Sequence, residues 1–183
     1  MDRLRTELTH PGQGGGARAG ALTVLLFVTL LSACGTPGSH GPLAYTVDSP
    51  EALGREVLDA LSRRDRARLD ELALSEEEFR DVVWPQLPAS RPERGWPFDY
   101  VWGDLHQKSV GYLGATLEGL GGQRLELIGI RFTGETTDYA AFLVHEDSIL
   151  DVRTPAGETR RIRAFGSMIE HDGRVKVFSY VVD

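Results

Sequence analysis

The chain predicts an α+β fold, with N-terminal helices packed on a curved four-stranded antiparallel sheet. Three observations carry this expectation. Helix-start signals cluster between Ser49 and Ser75. Apolar residues recur at helical spacing as far as Leu120 and switch to alternation from Gln123 onward. Turn sequences then follow at Thr154-Pro155-Ala156-Gly157 and His171-Asp172-Gly173. A run of helices followed by a run of strands is the pattern of an α+β domain.

The first helix opens at Ser49-Pro50-Glu51, with serine as N-cap, proline at the first helical position and glutamate in the first turn. Leu53, Val57, Leu58 and Leu61 form its apolar face, and Arg63-Arg64 suit the negative end of the helix dipole. Asp65 caps a short second helix carrying Leu69 and Leu72. Ser75-Glu76-Glu77-Glu78 is a capping box for a third helix with Phe79, Val82 and Val83, which Pro85 stops. Pro85, Pro88, Pro92 and Pro97 make residues 85–97 a loop. A longer helix is expected from about Asp99 to Leu120, with Val101, Leu105, Tyr112, Leu113, Leu117 and Leu120 on its apolar side. Its glycines predict a break near Gly111. Four strands follow: Gln123–Phe132, Tyr139–Val152, Arg160–Glu170 and Val175–Val182.

This order of elements over most of residues 48–183 resembles the NTF2-like (cystatin-like, cone-shaped) superfamily, in which helices pack on a strongly curved sheet around a pocket. The early β-hairpin of that fold is not visible in this sequence, and the proline-rich 85–97 segment stands in its place.

The N-terminus has the layout of an export signal. Arg3, Arg5 and Arg18 precede the uncharged run Ala21–Leu31, and Leu31-Ser32-Ala33-Cys34 resembles the lipobox of bacterial lipoproteins. The resemblance implies cleavage before Cys34 and a diacylglycerol on its sulfur. Residues 1–33 are then the signal peptide, 34–47 a lipidated cysteine with a flexible tether, and 48–183 a single domain. The competing readings are a membrane-spanning anchor and a plain secreted protein. An apolar run of about a dozen residues covers less than about 20 Å as a helix, short of the roughly 30 Å hydrocarbon core. Cys34 is the sole cysteine, so no intrachain disulfide forms. Gly35 at the next position implies the outer membrane facing the periplasm in a Gram-negative host. The Gly/Pro/Ser-rich stretch Gly35–Leu43 reaches about 30 Å at most.

Loss of residues 1–33 removes three arginines and two acids, taking the net charge from −7 to −8. Such a domain is a poor nucleic-acid binder. The 41% hydrophobic content of the full chain is enough for a core.

Three constellations bear on function. Trp84, Trp96, Phe98, Tyr100 and Trp102 hold all three tryptophans around the proline-rich loop. They suit ligand stacking or a protein partner, or else a hydrophobic flap on the open end of the sheet. Asp99, Trp102 and His106 share a helix face at spacings of three and four. A pocket-facing Asp with a His is the kind of pair that NTF2-like isomerases and dehydratases use for proton transfer. The competing reading makes Asp99 a helix cap and His106 a surface residue. His145, with Asp147 two residues along its strand, is a third acid/base candidate whose competing reading is a solvent-facing strand. His106, His145 and His171 lack metal-ligand spacing, no GxxxxGK[ST], GxGxxG or GxSxG motif occurs, and no cofactor is implied. Gly119–Gly122 is a helix C-cap. Arg153, Arg160, Arg161 and Arg163 flank one turn among Asp151 and Glu158, either facing anionic groups or forming surface ion pairs.

These readings describe a lipid-anchored binding or interaction module of the cell envelope, held to the membrane by acyl chains on Cys34. It would engage an envelope protein or a small molecule. The alternative is an envelope enzyme whose pocket uses Asp99, His106 or His145 as acid/base groups.

Overall fold

The computed structural model describes residues 43–182. The signal segment, Cys34 and most of the tether lie outside the described residues. The helix-start signals act as their chemistry dictates. Ser49 accepts a hydrogen bond from the Ala52 amide at 3.1 Å and starts α1 (Pro50–Ser62). Asp65 caps α2 (Arg66–Leu72) through the Arg68 amide at 3.0 Å. Ser75 and Glu78 exchange both bonds of a capping box at α3 (Glu76–Glu78).

The chain continues as one π-helical turn, Phe79–Val83, and then as three 3-10 turns, Trp84–Gln86, Pro88–Ser90 and Pro92–Arg94. The expected loop at 85–97 is therefore a string of proline-started turns. Helix α4 (Phe98–Leu120) runs unbroken for 23 residues, so the expected break at Gly111 is absent. Glycine lowers helix propensity without removing a backbone hydrogen bond, and the helix has apolar contacts on either side of that position. Gly121 and Gly122, the latter at φ 85°, turn the chain out of the helix.

Seven short strands follow: β1 (Glu126–Phe132), β2 (Thr136–Asp138), β3 (Leu143–His145), β4 (Ser148–Arg153), β5 (Thr159–Ile162), β6 (Ser167–His171) and β7 (Arg174–Ser179). They form two antiparallel sheets, ordered β1-β4-β5 and β2-β3-β6-β7, in place of the single four-stranded sheet expected. The two are halves of one bent meander. Between them the Thr133 and Gly134 amides bond to Asp147 O and Glu146 O, the Glu146 amide to Glu135 O, and the Ser148 amide to Gly166 O, all within 2.8–3.2 Å.

The corner has identifiable causes. Asp147 sits at φ 57°, reversing the pleat where the sequence suggested one strand from Tyr139 to Val152. Gly134 and Gly166 allow the backbones to close in. A Cβ on Gly134 would lie 2.8 Å from Glu146 Cβ, and one on Gly166 would collide with Val181 O.

Two apolar clusters fill the interior. In the larger, α1 and α2 pack on the sheets through Leu53, Val57, Leu61, Leu69, Leu150, Val152 and Val177, joined by Leu113 of α4. The smaller lies under the first half of α4 and contains Phe79, Val83, Phe142, Val144 and Ile169. Tyr112, assigned to the apolar side of α4, is exposed.

The chain joins the domain earlier than the expected boundary at residue 48. Leu43 is buried, and Val47 bridges Val175 of β7. The Ala44 amide donates to Glu78 Oε1 at 2.6 Å, and its carbonyl accepts from Lys176 Nζ at 2.8 Å. Lys176 and Glu78 form a buried ion pair at 2.9 Å. Each charge there is hydrogen-bonded as well as paired, the condition under which buried ions are tolerated. Desolvation holds the Lys176 pKa below the usual lysine value.

Candidate functional site

The five aromatic residues flanking the proline turns divide into two groups. Phe98, in the first turn of α4, meets Trp84 edge-on at 5.6 Å and Phe79 at 6.0 Å, with the Arg80 guanidinium over its ring at 4.1 Å. Trp102, one turn further on, packs on Phe79 at 5.2 Å. Trp84, Phe98 and Trp102 are thus half-buried cover for the smaller apolar cluster. Trp96 and Tyr100 lie 5.4 Å apart and face solvent, at 49% and 60% exposure.

Trp102 also lines a groove of about 540 Å³ between α2 and α4. Its apolar surface is formed by Leu74, Leu105, Leu113, Phe178 and Tyr180. His106 stacks on Trp102 at 5.1 Å and 26°, and both rings line the groove. Asp70 and Glu76 stand at its polar margin. Each is paired one helical turn along, Asp70 with Arg66 at 3.5 Å and Glu76 with Arg80.

Tyr180 braces this arrangement. Its hydroxyl donates to Leu69 O at 2.7 Å, and its amide donates to Ser109 Oγ of α4 at 3.0 Å. Burial pushes the Tyr180 phenol well above its ordinary pKa. An apolar hollow with a few polar groups and aromatic rings is the general form of a ligand-binding site.

The expected acid/base sets are not assembled. Asp99 is exposed and lies seven residues before His106, about 10 Å along the helix axis. Nor does it cap α4: Pro97 holds the N-cap position and no side chain bonds there. His145 contacts Thr136 Oγ1 through Nδ1 and Glu170 Oε2 through Nε2, each at 3.1 Å, with its ring on Phe132 at 5.3 Å. Asp147 does not join it, because the backbone reversal turns Asp147 toward Arg163 at 3.3 Å. Among the described residues, no group of three or more His, Cys, Asp or Glu side chains is placed to hold a metal ion. No described helix is long and apolar enough to cross a membrane.

The groove therefore keeps Trp102 and His106 from the sequence candidates and adds Asp70, Glu76, Ser109, Phe178 and Tyr180. These come from three distant stretches of chain, and no local pattern marks them. At the β4–β5 turn, Arg153 pairs with Glu126 at 3.2 Å, Arg131 with Asp151, and Arg160 with the Gln123 side chain. The chain matches no protein-family profile, and no curated protein or solved structure matches it either.

Proposed function

We propose that this protein is a lipid-anchored lipoprotein of the cell envelope, whose domain binds a partner or ligand in the groove between α2 and α4. One observation carries the binding part: the stacked Trp102–His106 pair lines a hollow of about 540 Å³ that combines apolar side chains with the polar groups of Asp70, Glu76 and Ser109. Stacked rings at the mouth of such a hollow provide contact area with little loss of side-chain entropy on binding. The anchoring part rests on Leu31-Ser32-Ala33-Cys34 and the apolar run before it. The NTF2-like relationship belongs to the same proposal. Its support is the element order and the bent meander, and the missing early hairpin counts against it.

Acid/base catalysis has less support. Asp99 is exposed and His145 does not line this groove. His106 does line it, but it is exposed and stacked on Trp102, and the groove carboxylates Asp70 and Glu76 are each paired with an arginine.

The test uses the full chain carrying a photo-crosslinking amino acid at position 106, or at exposed position 91 as a control, with and without Cys34→Ser. A reproducible adduct from position 106 alone, together with release or non-processing of Cys34→Ser in membrane fractionation, is the expected result. Equal adducts from both positions would remove the groove from the proposal. Unchanged fractionation of Cys34→Ser would remove the anchor.

A further inference from the structure

A second groove, of about 650 Å³, lies where α1, the α4–β1 link and the β4–β5 turn meet. Leu58, Leu125, Leu127 and Pro155 give it an apolar lining. Its charged lining comprises Arg55, Arg124 and Arg153 with Asp59 and Glu126. Both carboxylates are already engaged: Asp59 accepts from Arg63 at 2.6 Å, and Glu126 from Arg153 at 3.2 Å. Arg55 and Arg124 have no ion pair or side-chain hydrogen bond among the described residues. In a chain of net charge −7, two arginines without an ion-pair partner among the described residues, from separate elements, thus line one cavity.

Guanidinium is always protonated and meets an oxyanion through a planar fork of N–H donors. Two such groups supply the charge and donors that a phosphate group requires, and a phosphate monoester carries close to two negative charges near neutral pH. The leucines beside them match an apolar portion next to the phosphate. We infer that this groove binds a phosphate-bearing ligand, with Arg55 and Arg124 on the phosphate oxygens and Leu125 and Leu127 against its apolar part. The inference does not depend on lipidation or on the α2–α4 groove.

Isothermal titration of the full chain in dodecyl maltoside micelles at low salt tests it. The probes are inorganic phosphate, glycerol 1-phosphate, micelles doped with phosphatidic acid, and acetate as a control anion. At least one phosphate probe binds, more tightly than acetate, and binding weakens as salt is added. The double variant Arg55→Gln/Arg124→Gln weakens it by about tenfold or more, the loss expected for charge-assisted hydrogen bonds. Arg91→Gln/Arg94→Gln, at the exposed Pro92–Arg94 turn, leaves it unchanged. All four arginines are exposed, so both variants fold, and matching melting curves verify it. Binding to doped micelles alone identifies a lipid headgroup as the source of the phosphate; equal binding of glycerol 1-phosphate identifies a soluble ester. The inference is overturned if no phosphate probe binds, if acetate binds as tightly, or if the Arg55/Arg124 variant keeps wild-type affinity. It is also overturned if the Arg91/Arg94 variant loses as much affinity.

Discussion

Helices α1 and α4 both pack on the bent meander, yet they do so in opposite ways. Helix α1 has 13 residues and buries six of them; α4 has 23 and fully buries Leu113 alone. In α1 even the glycine is enclosed, since a Cβ on Gly54 would sit 3.0 Å from Leu127 Cδ2. In α4, Gly103, Gly111, Gly114 and Gly119 have open space where a Cβ would project, and Tyr100, Val110 and Tyr112 are exposed. Packing thus accounts for nearly every apolar residue of α1, whereas on α4 it leaves Tyr100, Val110 and Tyr112 facing solvent. Surface that the core does not need is where binding residues are found, and His106, exposed beside the core-packed Trp102, belongs to that part.

The largest effect expected from this contrast is on stability. Leu53→Ala empties a fully buried site in α1 and should cost about 2–5 kcal/mol. Leu105→Ala, on the half-buried face of α4, should cost about 1 kcal/mol, since only part of its transfer free energy is at stake. Urea unfolding of both variants measures the difference. Equal losses would mean that α4 is as deeply fastened as α1, and the contrast would fail.

Tyr180 sharpens the comparison, because it ties α2 to the sheet and to Ser109 of α4. Tyr180→Phe leaves the Leu69 carbonyl without this donor and should cost about 1–2 kcal/mol at neutral pH. Its pH dependence is more specific. The phenol pKa is raised in the folded state, so the unfolded chain releases its proton first as pH climbs past about 10. The folded state then holds more protons than the unfolded one, and stability falls with rising pH. The stabilisation is complete below the unfolded pKa and is lost above it, by about 1.4 kcal/mol per pH unit for this group. Lys176, whose folded pKa is lowered, contributes equally to both proteins and cancels in the difference. Stability measured from pH 8 to 11 should therefore fall more steeply in the wild type than in Tyr180→Phe. Parallel curves would show that the phenol ionises without unfolding.

The same contrast explains which features were legible in the sequence. Ser49, Asp65 and Ser75 announced three helix starts because capping is a contact over three residues. The fold class followed from periodicity, which is equally local. The corner of the meander did not, because Asp147 adopts a left-handed conformation that its residue type does not demand, and because β2 (Thr136–Asp138) is short and polar. That reversal also separated His145 from Asp147. Trp102 and His106 were legible as an aromatic neighbourhood on one helix. Asp70, Phe178 and Tyr180 were not, since only the packing of α2, α4 and the end of β7 brings them to the same groove.

The smallest expected effect is the one most specific to the two helices. Gly111→Ala places a methyl group in open space on α4 and removes backbone freedom from the unfolded chain, so it should stabilise the protein by about 0.5–1 kcal/mol. In a chain of this size, that raises the melting temperature by about 2–4 °C at most. Gly54→Ala has the same helix-propensity gain, but its methyl group presses on Leu127, and overpacking of this kind opposes the gain by about 1–3 kcal/mol. The two substitutions, chemically identical and each within a helix, should therefore differ in sign, with Gly54→Ala neutral to destabilising. Calorimetry of the pair reads this directly. If both substitutions stabilise, Leu127 has room to move and α1 is less closely seated on β1 than the 3.0 Å approach implies. If Gly111→Ala stabilises yet abolishes the adducts formed from position 106, the glycine-rich face of α4 is also part of the binding surface.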